Sequence, residues 1–68
     1  MNYKFTLKCV DGGYGWGKTG QEGYIVASAS SLEEALKWAK LQVPGGWTIK
    51  FDCMTDLNPC LNSNINLI

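Results

Sequence analysis

Residues 24–53 read YIVASASSLEEALKWAKLQVPGGWTIKFDC, and the fold is decided here. The middle of the stretch is a helix with a marked beginning and end. Ser30-Ser31-Leu32-Glu33-Glu34 offers a capping box in two registers, Ser30 with Glu33 or Ser31 with Glu34. Both glutamates also suit the positive end of the helix dipole. Leu32, Ala35, Leu36, Ala39 and Val43 fall on one apolar stripe at helical spacing. Glu33 and Lys37 are placed to pair at i,i+4. Pro44-Gly45-Gly46 stops the helix, so the spacing predicts it over residues 31–43.

Working outward, the period changes from helical to alternating. Trp47, Ile49, Phe51 and Cys53 alternate with Thr48, Lys50 and Asp52, the pattern of a strand with one buried and one wet face. Tyr24 to Ala29 is a strand with blurred alternation: either Ile25, Ala27 and Ala29 or Tyr24, Val26 and Ser28 face inward. Near the N-terminus, Tyr3, Phe5, Leu7 and Cys9 alternate with Lys4, Thr6 and Lys8. A helix between the second and third strands makes those two parallel if they share a sheet. The first strand then lies between them, antiparallel to both. The expected fold is a small α+β domain over residues 1–56, order ββαβ. Its mostly antiparallel sheet has strand order 2-1-3, and the helix covers one face. Lys4, Thr6, Lys8, Thr48, Lys50 and Asp52 would line the open face. Residues 57–68 form a tail. Asn58-Pro59 signals a turn. Leu57, Leu61, Ile65 and Ile68 would suit a helical face, whereas Ile65 and Leu67 alternate with Asn64 and Asn66. The asparagines favour the extended form, a short edge strand that would be the fourth.

Sixty-eight residues allow one domain with one small core. Six lysines balance six carboxylates, with no arginine and no histidine. The charge balance and missing arginine argue against a nucleic-acid partner. The missing histidine removes the commonest general base and metal ligand. Cys9, Cys53 and Cys60 form no C-x-x-C pair, so no metal and no cofactor is expected. Cys9 and Cys53 fall in phase with core positions and read as small buried hydrophobes. An odd cysteine count fits a reducing compartment. Lys4 and Lys8 interrupt any leader-like apolar run, and no stretch approaches membrane-spanning length. A soluble, cytoplasmic protein without a membrane partner is the expectation.

The segment GGYGWGKT at residues 12–19 fits the phosphate-binding pattern G-x-x-x-x-G-K-[ST] letter for letter. A working phosphate loop opens a helix whose N-terminal N–H groups cradle the ligand. Here Gly20 and Gly23 break any helix, and a strand follows. A phosphate- or nucleotide-binding module using Gly17, Lys18 and Thr19 is therefore the second functional reading.

The first reading is a non-enzymatic protein-binding module. Tyr14 and Trp16, set among glycines, either project as an aromatic finger or fold back over the sheet. Tyrosine and tryptophan dominate interface energetics. On the helix, Leu41 points outward and Trp38 lies on the outer flank, a second candidate patch unless Leu61, Ile65 or Leu67 wraps over it. Among the carboxylates, Asp11, Glu22, Asp52 and Asp56 are not explained by the helix start, and no two share an evident acid–base site. The partner expected is a larger protein, or a second copy of the chain in a homodimer. The strand–SSLEEALKWAK–PGGW–strand segment, roughly residues 24–52, resembles many small intracellular or phage-encoded α+β proteins. The short, lysine- and asparagine-leaning composition with aromatics to spare resembles that of a phage-type inhibitor of a larger host protein.

Overall fold

The computed structural model describes residues 1–59 and 65–67. Cys60, Leu61 and Ile68 lie outside the described residues. The elements are β1 (Asn2–Cys9), a 3-10 turn (Gly12–Tyr14), β2 (Glu22–Ala27), α1 (Leu32–Gln42), β3 (Trp47–Thr55) and β4 (Asn66–Leu67). The strands form one antiparallel sheet in the order β3-β1-β2-β4. The expected arrangement of the first three strands holds, and β4 extends it at the free edge of β2. Gly23 makes room for β4. A Cβ there would lie 2.9 Å from the Asn66 carbonyl oxygen and 3.0 Å from Ile65 Cγ2.

β1 lies inside the sheet, paired with both β2 and β3, and it alternates cleanly. Phe5, Leu7 and Cys9 are buried, and they join Ile25 and Ala27 of β2 and Trp47 of β3 in one core. The blurred strand resolves in favour of Ile25, Ala27 and Ala29, with Ala29 half-buried against that core. Val26 is buried too, but outside this core. It pairs with Lys4 and so shares the opposite face.

The helix uses the second capping register. Ser31 is the N-cap, and its hydroxyl accepts from the Glu34 N–H at 3.3 Å. The Ser30 hydroxyl donates to the Glu34 carboxylate at 2.6 Å. Val43, held extended before Pro44, ends the helix. The buried face is narrower than the stripe implied. Ala35 and Ala39 are fully buried, and Leu36, Trp38 and Val43 are half-buried at the flanks. The two small residues take the centre of the contact, and the larger side chains lie at its sides. Three expectations change as a result. Trp38 packs against the core instead of standing on the outer flank, Leu36 is only partly inside, and Leu32 is exposed. Leu41 points into solvent as expected.

The helix packs on β2 and β1. At β3 the register carries a second correction. Lys4 pairs with Cys53 but Phe5 pairs with Phe51, so Asp52 is an extra residue in a β-bulge. The bulge reverses the phase of the strand beyond it. Cys53 falls beside Lys4 and is exposed, not buried, while Met54 takes the position opposite Tyr3. Asp52 forms an ion pair with Lys4 at 3.6 Å. Phe51 meets Phe5 edge-on at 5.8 Å and Tyr3 at 6.3 Å, yet stays 37% exposed. The other face carries Lys8, Thr48 and Lys50 as expected, with Thr6 half-buried among them.

Candidate functional site

β1 hands over to β2 through residues 10–21, which hold most of the sequence-predicted site. The loop is braced throughout by its own hydrogen bonds. The Asp11 carboxylate accepts from Gly13 N–H at 2.8 Å and caps the 3-10 turn. Gly12 N–H donates to Thr19 Oγ1 at 3.0 Å, and Gly15 N–H to the Gly12 carbonyl at 3.1 Å. Lys18 N–H donates to Gln21 Oε1 at 3.0 Å, and Gln21 N–H returns to the Lys18 carbonyl at 2.9 Å. Gly20 N–H closes the base on the Cys9 carbonyl at 2.7 Å. Gly15, Gly17 and Gly20 supply the left-handed backbone that these turns require.

A second set of contacts ties the loop to the start of β3. Val10 and Asp11 N–H both donate to the Gly46 carbonyl, at 2.8 and 3.1 Å. The indole N–H of Trp47 donates to the Trp16 carbonyl at 3.1 Å. The two indoles stand edge to face, 5.3 Å apart and 73° inclined. Gly17 lies so close that a Cβ would be 2.6 Å from the Trp47 ring. The Tyr14 ring rests on Gly45 and Gly46, where an added Cβ on either would come within 2.9 Å of it. The loop is therefore an ordered cap, and its aromatics fold back. Trp16 leans on Trp47 and Tyr14 on the glycine turn.

Folding back does not hide them. Tyr14 is 69% exposed and Trp16 40%, and Val10 beside them is exposed as well. β3 begins opposite Cys9, so the C-terminal end of α1 is delivered to the same pole. Leu41, 79% exposed, lies in that last turn. Three of the four predicted contact residues, Tyr14, Trp16 and Leu41, thus belong to one end of the molecule, and Trp38 belongs to the core edge. Val10 and the Gly45-Gly46 platform were not foreseen. The missed signal was that Val10 continues β1 one step past its last inward residue. A further apolar group, Phe51, Met54 and Leu57 on and just beyond β3, is exposed because of the bulge and the reach of the helix.

The phosphate-like motif looks different in this geometry. The N–H groups of Gly12, Gly13, Gly15, Lys18 and Gly20 all point to acceptors of the protein itself. The Thr19 hydroxyl is occupied by Gly12, and β2 follows where a helix would have to start. Lys18 is exposed at the loop surface. Among the described residues, no three of His, Cys, Asp and Glu converge on a common point. Asp11, Glu34 and Asp52 are each engaged with a donor inside the fold. Cys9 is buried with its thiol toward the Trp16 carbonyl at 3.9 Å. No helix among the described residues is long and apolar enough to cross a membrane.

No protein-family model matches this sequence, and no curated protein and no solved structure matches it.

Proposed function

We propose that this protein acts by binding another protein through the pole formed by Val10, Tyr14, Trp16 and Leu41, without catalysing a reaction. The observation that carries the reading is the combination of exposure and bracing at Tyr14 and Trp16. Large aromatic surface is presented on a loop most of whose backbone donors are already satisfied, so little conformational entropy is lost on docking. Aromatic anchors are what interface hot spots use. Among the described residues, the loop's carboxylate, Asp11, is engaged by Gly13, and the thiol beside it, Cys9, is buried. An inhibitor or adaptor acting on a larger cytoplasmic protein fits this description.

The test separates anchor from scaffold. Leu41→Ala and Tyr14→Ala remove mostly exposed surface, Tyr14 giving up in addition its contact with the Gly45-Gly46 turn. Each should melt within a few degrees of the parent, yet fail to retain the partner captured by the parent from extracts of the source cell. Trp16→Ala should lose both properties, because its ring also supports Trp47. Retention of the same partner by a Tyr14→Ala, Leu41→Ala double variant would move the site away from this pole.

A further inference from the structure

Among the described residues, β3 is paired on one side only, with β1, and its other edge is open. Open edges are templates for further strands, and proteins usually blunt them with charges and bulges. Here the charges around the bulge have a self-complementary order, Lys50-Phe51-Asp52. Lys50 pairs with Thr6 and so stands on the face opposite the helix. Asp52 is on that face too, bonded to Lys4. Phe51 pairs with Phe5 and stands on the helix side, part of its ring in water.

We propose that the protein forms a two-fold dimer by antiparallel pairing of β3 with β3 of a second copy, centred on Phe51. Directly opposed residues of an antiparallel pair share a face. A two-fold axis at Phe51 therefore sets Lys50 of each copy opposite Asp52 of the other, twice, on the open face. The two Phe51 rings meet on the helix side and shield the surface that α1 leaves bare. Shifting the axis to Ile49 would set Thr48 against Lys50 and satisfy neither charge, so the charges select the register. The bulge sharpens the local twist and keeps the new ladder short. The ion pairs and the Phe51 contact then carry the association, which weakens as salt is added. The interface lies on the strand's middle, away from the loop pole, and does not depend on the function proposed there.

Sedimentation velocity on the full chain over a concentration series at low salt tests this. The parent should show a concentration-dependent dimer. Lys50→Asp places like charges opposite each other at both contacts and leaves the Lys4–Asp52 pair intact. It should raise the dissociation constant at least about ten-fold. Asp52→Lys should do the same alone, and an equimolar mixture of the two variants should form a heterodimer, because each then meets its opposite charge. Circular dichroism establishes that each variant is folded. Should Asp52→Lys unfold through loss of Lys4, Phe51→Cys gives an independent readout. Mild oxidation should yield a 51–51 disulfide between copies, identified by peptide mapping. A parent that stays monomeric throughout, or a Lys50→Asp variant that dimerises as well as the parent, would overturn the proposal. So would a folded mixture that remains monomeric, or the absence of a 51–51 bond.

Discussion

Gly46 carries two constraints at one position. Its φ of +85° lies in the left-handed region, and a Cβ there would collide with the Asp11 carbonyl. Its own carbonyl accepts from Val10 and Asp11, so the residue cannot shift without releasing the loop. Gly15 has the same φ of 85° but open space around its missing Cβ. The pair separates backbone strain from steric contact. Gly15→Ala should cost about 1 kcal/mol, the left-handed penalty alone. Gly46→Ala should cost about 2 kcal/mol or more, since the main chain of the loop must also move. Urea unfolding of both variants measures the difference. Equal costs would mean that the close packing of loop on turn contributes nothing to stability.

At the scale of elements, legibility followed how local each cause is. The helix could be read because its signals sit within it: Ser31 and Glu34 at one end, Pro44 at the other. β1 could be read because no bulge disturbs its own alternation. The phase of β3 could not, because Asp52 is alternation-compatible in sequence, and only the pairing with Lys4 and Phe5 makes it the extra residue. Trp38 was misplaced for a related reason. Helical spacing gives a stripe but not its centre, and the centre fell on Ala35 and Ala39, the two helix residues that are fully buried. At the candidate site, the sequence marked Tyr14, Trp16 and Leu41 but not their placement at one end of the molecule, which follows from the strand order. The glycine loop gives an element-scale prediction. Its motif spells phosphate binding, while five of its N–H groups and the Thr19 hydroxyl face the protein's own partners. Binding a phosphate would require breaking them without a helix dipole in return. ATP or GTP in large excess should therefore leave the melting temperature unchanged. Micromolar binding by calorimetry, lost in Lys18→Ala, would reverse this reading.

For the whole molecule, the question is whether the loop pole is a separate unit or part of the core. The core is small. Its largest fully buried side chains are Phe5, Ile25 and Cys9, with Val26 buried on the opposite face, and domains of this size typically hold only about 3–5 kcal/mol from such a core. The loop is not appended to it. It bonds to the end of β1 through Cys9, to the entry of β2 through Gln21, and to the start of β3 through Gly46 and Trp47. Trp47 is at once a core residue and the platform for Trp16. Releasing the loop would expose the Trp47 ring and leave its N–H without the Trp16 carbonyl, so the cap and the sheet should come apart together. The three tryptophans sample this well: Trp16 reports on the loop, Trp47 on the core and Trp38 on the helix edge. In urea, tryptophan fluorescence and far-UV circular dichroism should follow one transition with a common midpoint and slope, the behaviour of a two-state domain. A fluorescence change that runs ahead of the loss of secondary structure would make the loop an independent, weakly held segment. The preorganisation invoked for its aromatic surface would then fail with it.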